Sequence, residues 1–267
     1  MLFRSDAERS SSRDIVLCLD VSGSALPYDR AVIETYLELV SHFQGERIAL
    51  SIFNSTSRTV FPLTDDYNLV SSQLTKAADA LRGVESQDDI DKMSDKDYQK
   101  IADWLEGTQN RKNSTSLIGD GLVSCAAMIP GFAYGDTSGA ARQRPASIVL
   151  ATDNVASGTP TYSLVQALDM AEASHISVDG LFSGPRQSEG DATTTEMKRQ
   201  IESRGGTFLT QSGSSDINEL VRQIDSRRTS ESRRSSQAAL IDAPGWWTLM
   251  LVVLLAIWMI LAWRLRR

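Results

Sequence analysis

Two short apolar runs, each ending in an aspartate, constrain this chain more than any other feature. Asp14–Leu19 (DIVLCL) runs into Asp20, and Ser147–Thr152 (SIVLAT) runs into Asp153. Unbroken apolar runs of this length read as strands buried on both faces, the mark of a parallel sheet covered by helices. The segments around them alternate accordingly. Ala31–Phe43 places Ile33, Tyr36, Leu37, Val40 and Phe43 on one helical face. Arg47–Phe53 is a strand, and Thr59–Leu63 pairs with it as a hairpin. Asp66–Leu81 is helical, anchored by Leu69, Leu74 and Leu81. Ile118–Ile129 is a helix stopped by Pro130-Gly131. Further on come a helix at Thr161–Ala173, a strand at Ile176–Phe182, a helix at Thr194–Ser203, a strand at Thr207–Thr210 and a helix at Ser215–Ile224.

Residues 14–225 thus read as one Rossmann-like α/β domain, a mostly parallel central sheet with helices on both faces, after a short extension at 1–13. One stretch breaks the alternation. Val84–Lys112 is an insertion, residues 84–112, in which Ser94 and Asp97 form a capping signal for a helix from about Asp95 to Glu106. Tyr98, Ile101 and Leu105 on that helix are expected to dock it on the rim of the site at the strand ends, which the end of the insertion must approach. Trp104 lies off the stripe and is a candidate partner contact, since aromatic residues are favoured binding anchors. The plainer reading is that it covers neighbouring apolar surface.

The tail is of another kind. Trp246–Trp263 (WWTLMLVVLLAIWMILAW) is 18 residues without a charge. As a helix it is about 27 Å long, close to the hydrocarbon thickness of a bilayer. Trp246, Trp247 and Trp263 fall at its ends, where aromatic belts form. A single transmembrane helix is therefore expected at 246–263, followed by a basic tail at 264–267 and preceded by a flexible, Ser- and Arg-rich linker at 226–245 that also suits anionic lipid. Flanking charge does not orient it: Arg227, Arg228, Arg233 and Arg234 precede the span, and Arg264, Arg266 and Arg267 follow it. The first residues, MLFRSDAERSSSRD, hold no apolar core of a secretory signal.

The chemistry gathers at the strand ends. Asp20-Val21-Ser22-Gly23-Ser24 is a D-x-S-x-S at the carboxyl end of a buried strand, the edge where open α/β sheets bind ligands. One carboxylate and two hydroxyls on a tight loop suit a hard cation such as Mg²⁺ or Mn²⁺. Asn113–Leu122 (NSTSLIGDGL) is a Ser/Thr loop opening a helix, and Asp153 ends the second apolar strand.

This set resembles the von Willebrand factor A (vWA) domain with its metal-ion-dependent adhesion site (MIDAS). The resemblance spans roughly Asp14 to Ile224. It implies metal ligation by Asp20, Ser22, Ser24 and Asp153, with Ser116 falling on the family's threonine. Thr115 stands where the family has glycine, so a one-residue shift would make Thr115 the ligand instead. Ala25 replaces the methionine common in bacterial members. RDIVLCLDVSGS, PLTDDYNLV and TSLIGDGL are most similar to the membrane-bound Bat-type aerotolerance proteins of bacteria. Those relatives carry transmembrane helices on both sides of the domain, which implies either a tail anchor alone or a start upstream. By this resemblance the chain binds a protein ligand that supplies a Glu or Asp to the metal, in a cell-envelope complex that includes a MoxR-type AAA ATPase system. The alternative is a structural vWA scaffold with a degenerate metal site that binds through its insertion.

Other classes find little support. With 34 acidic and 27 basic residues the net charge is −7, unsuited to nucleic acid. There is no G-x-S-x-G and no H-E-x-x-H, Ser22 breaks the D-x-D-x-T phosphotransferase pattern, and neither His42 nor His175 lies in a motif; no enzyme is expected. Two cysteines exclude a disulfide framework, and with two histidines a Cys/His zinc module. Cys18 and Cys125 read as small buried apolar residues. Asp120 is read as a charge favouring its helix N-terminus rather than a group reaching the metal.

Overall fold

The computed structural model describes residues 13–110, 113–132, 144–210, 222 and 245–265. They belong to two units, Met1–Asp225 and Ser226–Arg267.

In the first unit the strands are β1 (Asp14–Asp20), β2 (Arg47–Phe53), β3 (Ser57–Thr64), β4 (Ala146–Thr152), β5 (Ile176–Phe182) and β6 (Phe208–Leu209). They form one sheet in the order β3-β2-β1-β4-β5-β6. Only β3 is antiparallel to its neighbour. The helices are α1 (Leu26–His42), α2 (Tyr67–Ala80), α3 (Gln87–Asp91), α4 (Asp95–Leu105), α5 (Ile118–Ala127), α6 (Leu164–Ala173) and α7 (Ala192–Ser203). The α/β architecture expected from the alternation is therefore present.

The period-2 geometry of β1 divides the core. Ile15, Leu17 and Leu19 face one cluster with Ile33, Leu39 and Leu74, while Val16 and Cys18 face another with Leu122, Ala126 and Leu168. Each large aliphatic side chain so enclosed contributes about 1.5–3 kcal/mol, and all seven residues of β1 and of β4 are buried. Tyr36, fully buried, sets its hydroxyl 3.2 Å from the Cys18 carbonyl and 3.1 Å from that of Val149, satisfying its polar tip between β1 and β4.

Several boundaries differ from expectation. α1 begins at Leu26, not Ala31: Pro27 lies in its first turn, where the ring's fixed φ is already helical, and Ala25 caps it without a side-chain bond. On α2 the buried anchors are Val70, Leu74 and Ala77, while Leu69 is 40% exposed. Asp66 instead fixes that helix start, accepting the amides of Asn68 and Leu69. The insertion holds α3 as well as α4. Ile101 and Trp104 face inward on α4, and Tyr98 is 55% exposed, so the expected docking face is rotated.

The two cysteines need a larger correction. Both are buried, but they are joined as a disulfide, with Cα atoms 6.1 Å apart across 107 residues of chain. α5 packs directly over β1, which brings its last turn above the middle of the strand.

In the second unit α8 (Gly245–Leu265) contains the whole of the expected span, and its apolar side chains are exposed from Met250 through Ile260. Among the described residues no helix is long and apolar enough to cross a membrane, so the transmembrane helix expected at 246–263 is not shown. The expected helix at Ser215–Ile224 and the linker up to residue 244 lie outside the described residues, Arg222 apart.

Candidate functional site at the carboxyl edge

Strand order reverses between β1 and β4: the chain runs outward from β1 to β2 and β3 on one side, then returns to β4, β5 and β6 on the other. The crevice at such a switch point, beyond the carboxyl ends of the strands, is the natural ligand site of an open parallel sheet. Asp20 ends β1 and Asp153 follows β4, so the two aspartates flank it. The neighbouring strands end in polar residues too, Asn54 after β2 and Ser183 after β5, and all four residues are buried.

Asp20 is the centre of the hydrogen bonding. Its Oδ1 accepts the Ser22 amide at 3.0 Å. Its Oδ2 accepts the Ser116 hydroxyl at 2.5 Å and the Thr152 hydroxyl at 2.7 Å. Burial pushes the Asp20 carboxyl up to about 6; the Ser116 and Thr152 bonds oppose the rise, and nearby Asp153 adds to it. Burial also raises Asp153, against hydrogen bonds from Ser24 and the Val155 amide. Ser22 and Ser24 bring their Oγ atoms to 3.4 Å. Ser22 is buried and Ser24 exposed, so the loop runs from the interior to the surface.

In the second loop the two neighbouring hydroxyls have different partners. Asn54 Oδ1 accepts the Thr115 hydroxyl at 2.8 Å and the Ser116 amide at 2.9 Å. That grip turns Thr115 toward Asn54 and leaves the Ser116 hydroxyl on Asp20. Ser116 holds φ of 50°, a left-handed conformation that needs such external support. An isolated antiparallel bridge between Thr115 and Ser157 ties this loop to the one following Asp153. Asp120 joins the same two loops, accepting the amides of Thr161 and Tyr162 at 3.1 and 2.8 Å. It is a loop clamp. Close approach there requires Gly119, whose added Cβ would lie 2.0 Å from the Tyr162 carbonyl oxygen.

Asn54 and Thr152 were not singled out in the sequence. Asn54 had a signal, since it ends the apolar run of β2 as Asp20 ends that of β1. Asp29, in the first turn of α1, is a further buried carboxylate beside the crevice. Burial first, then Asp20 and Asp153, drives it well above the usual carboxylate range, with the Ser183 hydroxyl opposing.

Asp20, Ser22, Ser24, Ser116 and Asp153 therefore meet at one edge, and the Thr115 hydroxyl bonds Asn54 instead of Asp20. Their donors are all oxygen, with two carboxylates to balance a divalent charge, which fits a hard cation. No group of three or more His, Cys, Asp or Glu that could hold a metal occurs among the described residues; the candidate set relies on hydroxyls beyond its two carboxylates. Trp104 is not at this edge's surface. It is buried in the core under the insertion, with the Arg58 guanidinium 5.7 Å from its ring centroid and donating to its carbonyl at 2.6 Å.

No family model and no curated protein matches the sequence. Among solved structures, the conserved hypothetical protein BatB from Bacteroides thetaiotaomicron matches with a TM-score of 0.51 and 16% identity, over 82% of this chain and 99% of that one. An aerotolerance-related membrane protein from Bacteroides fragilis matches at 0.44 and 16%, over 79% and 99%. Proximal thread matrix protein 1 from the mussel byssus, in a structure with a zinc-occupied MIDAS motif, matches at 0.43 and 17%, over 79% of this chain and 46% of that one. The fold is vWA-like, and at these identities the likeness extends to the fold alone.

Proposed function

We propose that this chain is a membrane-anchored vWA-like binding module, not an enzyme, which holds Mg²⁺ or Mn²⁺ at its carboxyl edge and uses it to capture an acidic side chain of a partner protein. Asp20 carries the proposal. It is fully buried at the switch point, two hydroxyls converge on it, Asp153 adds negative charge, and no basic side chain pairs with it among the described residues. Asp20, Ser22, Ser24, Ser116 and Asp153 would hold the ion, whose contribution is an electrophilic centre able to accept one more oxygen. Exposed Ser24 sits where an incoming carboxylate would arrive, while Asn54 and Thr152 hold Ser116 and Asp20 in place. The anchor rests on α8, 21 residues and about 32 Å long, with an uncharged stretch of 18 residues inside it. A cell-envelope complex is the setting we propose.

The test is thermal melting in millimolar Mg²⁺ and in EDTA. An ion present at a hundred times its Kd should add about 2.7 kcal/mol of stability, and Asp20→Ala should abolish the difference. Coincident curves with no heat of binding would leave a vWA-like scaffold that engages partners through another surface, such as the insertion.

A further inference from the structure

The Cys18–Cys125 disulfide lies in the second core cluster with Val16, Leu122, Ala126 and Ile148, and neither cysteine is exposed. A thiolate cannot attack either sulfur without opening the core, so the bond is structural and not an exchanging, regulatory one. Oxidation must therefore accompany folding, while the sulfurs are still accessible: two thiols lose two protons and two electrons to an oxidant of the thiol–disulfide kind and form one S–S bond. The cytoplasm keeps thiols reduced, whereas secretory and periplasmic compartments supply such an oxidant.

We infer that the vWA-like unit folds and works in an oxidising compartment outside the cytoplasm, so that the partner offering its carboxylate to the metal edge is an extracytoplasmic protein. This rests on the membrane-anchored binding module proposed above. The disulfide breaks the tie left by the flanking arginines. With the domain outside, Arg264, Arg266 and Arg267 lie on the cytoplasmic side and Arg227, Arg228, Arg233 and Arg234 outside, so the sidedness rests on the disulfide and not on flanking charge. An ATP-hydrolysing partner such as a MoxR-type ATPase remains with its nucleotide in the cytoplasm. On this assignment it does not touch the metal edge.

The full chain should be examined in its own cells. Thiols are blocked with N-ethylmaleimide at the moment of denaturing lysis, without reductant, and peptides containing Cys18 and Cys125 are read by mass spectrometry. In parallel, intact spheroplasts are treated with protease. The expected result is a linked Cys18–Cys125 peptide, with the domain digested from outside and the C-terminal tail protected. Alkylated Cys18 and Cys125, or a domain that survives until the membrane is permeabilised, overturns the inference. A carbonate wash separates the two proposals. A chain that washes off with its disulfide intact overturns the anchor and the sidedness while the oxidising compartment stands. A chain that stays in the membrane with free thiols keeps the anchor and overturns the compartment.

Discussion

β1 begins and ends with a buried aspartate, and the two ends are treated in opposite ways. At the amino end Asp14 receives the Arg47 guanidinium through two bonds, 2.8 and 2.7 Å, and Arg144 stands 3.1 Å away. At the carboxyl end Asp20 receives only an amide and two hydroxyls, with Asp153 nearby. Charge is neutralised within the protein at one end and left for something else to neutralise at the other. A fold that needed only stability would treat both ends as it treats Asp14, because a buried carboxylate without a cation is costly. That difference is what supports the proposed ligand site at the carboxyl edge.

The comparison can be broken most forcefully at the amino end. Arg47→Ala should destabilise the domain by about 4 kcal/mol, since it strips Asp14 of its bidentate partner while the carboxylate stays buried; chemical denaturation measures it, and the Mg²⁺ response should survive. At the carboxyl end the effect appears in the pH dependence. Asp20 titrates near 6 when folded and near 3.8 when unfolded, so the native state binds its proton more tightly. The metal-free domain should then be most stable below pH 4 with respect to this group. It should lose about 3 kcal/mol as pH rises from about 4 through 6. Asp20→Asn should flatten that slope, and Mg²⁺ should offset the loss at neutral pH.

Smaller changes sharpen the picture of the second loop. Asn54→Ala should cost about 2 kcal/mol, because it orphans the buried Ser116 amide, and should weaken Mg²⁺ binding by loosening Ser116. Thr115→Ala removes one part-buried bond and should cost about 1 kcal/mol. Calorimetry should find its Mg²⁺ affinity unchanged; an affinity falling as far as in Ser116→Ala would return Thr115 to the ligand set.

What could be read in advance follows the range of the forces involved. β1, β4 and the hairpin of β2 and β3 are written in local patterns, as is the Ser94 cap of α4, whereas the capping box of Ser163 and Gln166 starts α6 at Leu164 and not at the expected Thr161. Asp20 and Asp153 were legible because strand runs ended in them. Thr152 was not, since its hydroxyl lies inside an apolar run, and only the fold brings it to Asp20. The position of Ser116 is decided by Asn54, 62 residues away. The cysteine pair carries no spacing signal at all over 107 residues. Trp104 was read from the helix face alone, but Arg58 on β3 and the core beneath determine which side of α4 is covered.

The switch point between β1 and β4 also dictates when the edge can exist. Asp20 draws one hydroxyl from 96 residues downstream and another from 132. A growing chain that has made β1, β2, β3 and the insertion has laid down most of one core cluster, yet its Asp20 still has neither hydroxyl. Contacts this distant in sequence form slowly because the intervening chain must be ordered first. On the proposed function, cation capture falls among the last events of assembly. On the proposed function, a chain that ends between Ser24 and Thr152 holds the whole D-x-S-x-S sequence without a completed site.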